Sequence, residues 1–145
     1  MKKSNEIIQM LKKVPLFKGL SDRQFKIMVG SVVTRNYADG EAMVVQGEGG
    51  VGIYVIASGT AEAILEMNDG EKKSVNTFGP TDFFGELALL NDGPRTASVY
   101  ARSDLECLVL TRWDFIPLLK QDGEMAVAIL QELAGRFRQT LDALS

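Results

Sequence analysis

A chain of 145 residues, 46% hydrophobic and 24% charged, has the length and make-up of one globular domain. It contains no histidine, which excludes a His-based triad and a His-ligated metal. Its one cysteine, Cys107, excludes an internal disulfide and a cysteine-cluster metal site, and a net charge of −3 excludes polyanion binding by bulk charge.

The N-terminus reads MKKSNEIIQMLKK. Lys12 and Lys13 cut the apolar stretch too short for a signal peptide, and no run approaches the 18 or so apolar residues of a membrane span. A soluble, cytoplasmic protein is expected. Residues 1–30 carry net charge +5, residues 31–111 carry −7 and residues 112–145 carry −1. The basic first helix is expected to pack on the acidic middle, with an acidic partner or a membrane surface as the other reading.

Residues 3–13 place Ile7, Ile8 and Leu11 on one helical face, and Pro15 stops that helix. Ser21 is a good N-cap for a second helix over 22–30, ending at Gly30. The middle then changes character. Short apolar or β-branched runs at 32–37, 41–45, 52–58, 60–67, 72–78, 96–102 and 105–111 predict strands. Turn signals separate them at Asp39-Gly40, Gly47–Gly52, Gly59 and Asn68-Asp69-Gly70, the last a strong hairpin signal. Cys107 falls in the run LECLVL and reads as a buried strand residue. Residues 113–120 predict a short helix, 121–123 a break, and 124–144 a long helix. Its apolar stripe is Ala126, Leu130, Leu133, Phe137 and Leu144, read as core or dimer seam. Phe17 and Trp113 are expected in the core. The fold class is α+β: a barrel or sandwich of about eight antiparallel strands between N-terminal helices and a long C-terminal helix.

One stretch stands apart: FFGELALLNDGPRTASV, residues 83–99. It is far longer than a hairpin connection needs, and long loops in compact domains are usually functional. Gly85 permits positive φ or close backbone approach. Residues 86–90 can form a helical turn whose first amides face an anion. Glu86 offers a bidentate acceptor for hydroxyls, and Arg95, stiffened by Pro94, offers a planar fork of donors for a phosphate. The pattern predicts a cradle for a sugar phosphate. Phe83 and Phe84 are expected to fix this cassette to the barrel.

The same residues resemble the phosphate-binding cassette of cyclic-nucleotide-binding domains: Gly-Glu-Leu-Ala, then Pro-Arg-Thr-Ala. VPLFKGLSDRQF (14–25) is similar to the family's N-terminal helical motif, and GEGGVGIYVIASGTAEA (47–63) to its glycine-punctuated strands. The resemblance covers nearly the whole chain. It implies a jelly-roll β-roll, cAMP or cGMP as ligand, and no catalysis or cofactor. Glu86 would accept from the ribose 2′-hydroxyl, and Arg95 would pair with the cyclic phosphate. Backbone amides near Gly85, Leu87, Ala88 and Thr96 would complete the cradle. The C-terminal helix would cover the base with Phe137 or the stems of Arg136 or Arg138. Thr96 occurs in binders of either nucleotide. Ala57 stands where kinase regulatory subunits carry an acid that holds the arginine, so their relay is not implied.

The resulting expectation is one cyclic-nucleotide-binding domain over residues 1–145. N-terminal helices span 1–30, a β-roll 31–111 holds the cassette at 83–99, and lid helices span 112–145. Ligand binding would move the C-terminal helix and so regulate an effector. A helix-turn-helix after that helix has no room in the chain, so direct DNA binding is not expected. Three alternatives stay open: a regulatory segment of a larger channel, kinase or transcription regulator; an interaction module with a vestigial cassette; and homodimerisation through the last helix. A cupin-type enzyme is disfavoured by the missing histidines.

Overall fold

The computed structural model describes residues 4–145. They form two compact units: a helical one from residues 4–31 with Trp113–Ser145, and an all-β one over Val32–Arg112.

In the helical unit, α1 (Ser4–Leu11) buries Ile8, Met10 and Leu11. Residue 3 of the expected helix lies outside the described residues. Pro15 does more than end a helix. It opens a 3-10 turn over Pro15–Phe17, at a position where its missing N–H costs nothing. Ser21 caps α2 (Asp22–Val29) in a reciprocal box: its Oγ accepts from Gln24 N, and Gln24 Oε1 accepts from Ser21 N. The first helix is tied by Lys12, 2.9 Å from Asp22 in this same unit.

α3 (Arg112–Gln121), from Trp113 onward, and α4 (Gly123–Ala143) complete the helical unit. Phe17 and Phe115 are fully buried, with ring centroids 5.8 Å apart. Trp113, expected in the core, is 61% exposed. The stripe expected on the last helix also needs correction. The buried residues of α4 are Met125 and Ile129, whereas Leu130, Phe137 and Leu144 are exposed. Alternating three- and four-residue steps fit more than one stripe of a 3.6-residue helix, and the expected stripe was the wrong one for the core.

The β unit has eight strands: β1 (Val33–Tyr37), β2 (Ala42–Val44), β3 (Gly52–Ser58), β4 (Ala61–Glu66), β5 (Lys72–Phe78), β6 (Phe83–Phe84), β7 (Ser98–Ala101) and β8 (Leu105–Thr111). Seven match the expected runs. The eighth, β6, pairs Phe84 with Tyr54 and Phe83 with Val55, which is how the two phenylalanines join the cassette to a sheet. The sheets run β1-β8-β3-β6 and β2-β7-β4-β5, with every pair antiparallel. Alternate side chains meet in one cluster: Tyr54, Ile56, Cys107 and Val109 from the first sheet, Ala63, Phe78, Val99 and Ala101 from the second. The β4–β5 hairpin turns at the expected Asn68-Asp69-Gly70, where Gly70 takes φ +87°. Gln46 serves as a surrogate strand partner. Its Oε1 accepts from Glu66 N at 2.8 Å, and its Nε2 donates to Glu66 O at 3.0 Å.

Candidate anion-binding site

The cassette begins where β6 ends. Gly85 adopts φ +83°, which only glycine takes at little cost, and so turns the chain into a 3-10 turn over Glu86–Leu89. Ala88 and Leu89 are buried and anchor that turn, while Leu87 is 58% exposed. The Ala88 N–H, expected in the anion cradle, donates to Gly85 O at 3.0 Å. The Leu87 N–H lies in the first turn, ahead of the turn's own hydrogen-bond ladder.

Arg95 is fixed by its backbone. Its N–H donates to Glu48 O and its carbonyl accepts from Gly47 N, both at 2.8 Å. The neighbouring Gly49 and Pro94 form an isolated antiparallel bridge. The β2–β3 connection thus acts as a short strand beside the cassette. It needs glycine: a Cβ on Gly50 would lie 2.9 Å from Ala88 Cβ and 3.2 Å from Arg95 Cδ.

The Arg95 side chain then enters a half-buried slot. Its guanidinium carbon stands 5.5 Å from the Phe84 ring centroid, a cation–π distance. Phe84 in turn stacks on Tyr54, at 4.9 Å and 5° between planes, and leans on Phe78 at 5.1 Å. Arg95 Nε is buried without a hydrogen-bond partner. Burial lowers the Arg95 pKa and the Tyr54 ring partly offsets this, but an arginine remains charged at any physiological pH. The same burial raises the Tyr54 pKa.

These elements enclose a cavity of about 590 Å³ within the β unit, inside the range of small-molecule sites. Gly85, Glu86, Leu87, Ala88, Arg95 and Thr96, the six residues expected at the site, all line it. Val75 and Asn76 also line it. A β-bulge between the β4 pairs Ala63↔Asn76 and Ile64↔Ser74 brings these two consecutive residues to it. Arg136, Phe137 and Arg138 lie on α4, in the helical unit. Arg136 is partly buried, with Nε 4.0 Å from Glu132 Oε1, and Phe137 is 64% exposed.

Sequence reasoning missed Gly50 and Arg112. Gly50 sat in a cluster read as a turn. Arg112 carries no local signal, because its hydrogen-bond partners Gly50, Ala88 and Asn91 lie 62, 24 and 21 positions away. Among the described residues no group of three or more His, Cys, Asp or Glu could hold a metal, and no helix is long and apolar enough to cross a membrane.

The sequence profile of the cyclic nucleotide-binding domain matches residues 34–122. The cyclic AMP receptor protein of Thermus thermophilus is 33% identical over 138 residues, 93% of this chain and 64% of that protein. The regulatory subunit of a cAMP-dependent protein kinase from Colletotrichum orbiculare is 38% identical over 109 residues, 75% of this chain and 27% of that protein. This chain therefore spans less than two thirds of either relative. The crystal structure of the N-terminal domain of a Streptomyces coelicolor transcriptional regulator superposes with a TM-score of 0.87 at 32% identity, covering 94% of this chain and 95% of that one. Fold, cassette and sequence agree, and the chain belongs to the cyclic nucleotide-binding domain family.

Proposed function

We propose that this domain is a regulatory sensor that takes cAMP or cGMP in the cassette cavity, with the cyclic phosphate on Arg95. The observation that carries the reading is Arg95 Nε, a buried donor with no partner on the wall of a cavity of nucleotide size. Such a donor is costly to leave unmade, and a phosphate oxygen satisfies it in a charge-assisted bond. Glu86 would accept from the ribose 2′-hydroxyl. Backbone groups at Gly85, Leu87, Ala88 and Thr96 would surround the phosphate, with Ala88 contributing less because its N–H already serves Gly85. The β segment carries net −7, so the anion must be held by these local donors rather than by bulk charge.

In this reading the domain binds its ligand without turning it over and needs no cofactor. It works in the cytoplasm, and ligand binding is coupled to movement of α4 and so to an effector. Phe137, or the stems of Arg136 or Arg138, would cover the base. The relatives named for cyclic AMP support the nucleotide class. Titration calorimetry with cAMP, cGMP and 5′-AMP tests it. Cyclic nucleotide should bind well below millimolar, and Arg95→Ala should cost about 2–5 kcal/mol, the loss for a broken, desolvated charge pair. No binding below about millimolar, or an Arg95→Ala variant at full affinity, would overturn it.

A homodimer through α4 belongs to the same proposal. Val127, Leu130, Phe137, Leu141 and Leu144 are each about half exposed or more. With Ala134 they repeat in alternating three- and four-residue steps, the seam of a coiled coil. Leu130→Glu should give a monomer by sedimentation. A wild type that sediments as a monomer at high concentration would remove the dimer and leave the nucleotide site standing.

A further inference from the structure

Arg112 stands at the junction of β8 and α3 and does not line the cavity. Its Nη1 donates to Gly50 O and Ala88 O at 3.0 Å, and to Asn91 O at 3.3 Å. Gly50 belongs to the β2–β3 connection, and Ala88 and Asn91 to the far end of the cassette turn. One charged nitrogen thus ties together the two segments that flank Arg95.

The link from these carbonyls to Arg95 is steric. Gly50 has no room for a methyl group between Ala88 Cβ and Arg95 Cδ. Gly50, one of the three residues held by Arg112, therefore lies close against both the Arg95 stem and Ala88, a second of the three. A second bond anchors the Arg112 backbone within the β unit, since Arg112 N–H donates to Val51 O at 2.8 Å. The charge is also well placed, because a cation at the C-terminal end of a helical turn meets unsatisfied carbonyls.

Resting on the cyclic-nucleotide reading above, we infer that Arg112 is the positioning residue of the anion site. By gathering three carbonyls on one cationic nitrogen it sets the spacing between Gly50 and the cassette turn. That spacing defines the slot in which Arg95 presents its unpartnered Nε–H. Arg112 touches no ligand in this role and acts through Arg95. A lysine keeps the charge and offers three donors, so it retains much of the function; a glutamine loses the charge.

The test uses the full chain with Arg112→Gln and Arg112→Lys. Two quantities are read: calorimetric affinity for cAMP and cGMP, and the position of the Arg95 Nε–H signal in ¹⁵N-correlated NMR spectra without nucleotide. Arg112→Gln should weaken binding about tenfold to hundredfold, the equivalent of lost hydrogen bonds to a charged group. It should also shift the Arg95 Nε–H signal, and Arg112→Lys should restore both most of the way. Wild-type affinity in Arg112→Gln overturns the inference. So does weakened binding with an unmoved Arg95 signal, which marks a merely structural arginine, and so does a lysine variant no better than glutamine. If the wild type binds neither nucleotide, the cyclic-nucleotide reading falls, and the Arg95 signal still decides whether Arg112 positions that side chain.

Discussion

Gly85 lies directly against Arg95. A Cβ built on Gly85 would stand 2.8 Å from Arg95 Nη1 and 2.6 Å from Gly52 O, and the residue holds φ +83°. Conformation and space therefore both demand glycine at the point where the cassette leaves β6. Gly85→Ala should destabilise the domain by at least the left-handed penalty of about 1–2 kcal/mol. It should also displace the guanidinium and weaken cyclic-nucleotide binding by more than the stability loss explains. Thermal melts paired with calorimetry check this, and an alanine variant of normal affinity would show that the guanidinium finds another route to the anion.

Thr81 is a β-branched residue at φ +73°, in the turn that leads into β6. The strain is sustained by hydrogen bonds on both sides, from Thr81 N to Ile56 O and from Ile56 N to Asp82 O, each 2.8 Å. Thr81→Gly relieves about 1–2 kcal/mol of left-handed strain and costs about 0.5–1 kcal/mol of added chain entropy. A net gain of about 0.5–1 kcal/mol is expected, visible by calorimetry as a small rise in Tm. A fall in Tm would show that the threonine side chain contributes more than its backbone strain.

What was legible in the sequence, and what was not, follows from the range of the interactions. Strands were legible where a glycine punctuated them: Gly40, Gly59 and Gly70 all take φ +87° at turns. β6 was not, because two residues carry no periodicity and Phe84 becomes a strand residue only by pairing with Tyr54. The cassette was legible because Gly85, Glu86 and Arg95 carry their chemistry in their own side chains or lack of one. Arg112 was invisible because its role depends on carbonyls brought together by the fold. On α4, the stripes through Met125 and Leu130 both have helical spacing, and only the packed partners of Met125 and Ile129 decide which is core.

Cys107 is buried between Ile56 and Arg35 of its neighbouring strands, and burial pushes its thiol up to about 12. A folded-state value above the unfolded value of about 8.5 means that the thiol contributes stability at low and neutral pH. That contribution is lost as pH rises from about 9 through 12, once the unfolded chain can ionise and the folded one cannot. Thiol reagents at pH 8 should therefore react with the urea-unfolded chain and spare the native one. Rapid labelling of native protein would show that β8 opens locally.

Asp122 joins two caps in the helical unit. Its Oδ1 accepts from Met125 N at 3.1 Å, and its Oδ2 accepts from buried Gln24 Nε2 at 3.3 Å and from Arg23 Nη2 at 3.2 Å. Its pKa is lowered first by the Met125 amide; burial, the next influence in size, opposes this, and Gln24 and Arg23 add smaller downward pulls. A lowered folded-state pKa adds stability above the ordinary carboxylate value of about 3.9, lost as pH falls through the lowered one. Asp122→Ala removes the cap and both tethers, and should lower Tm by a few degrees at pH 7. Asp122→Asn keeps a good N-cap and should lose less. The gap between wild type and the asparagine variant should close as pH falls from about 4, the ordinary carboxylate value, down through the lowered folded-state one. A gap that persists at pH 2 would mean that the shape of the carboxamide, rather than the charge it replaces, accounts for the difference.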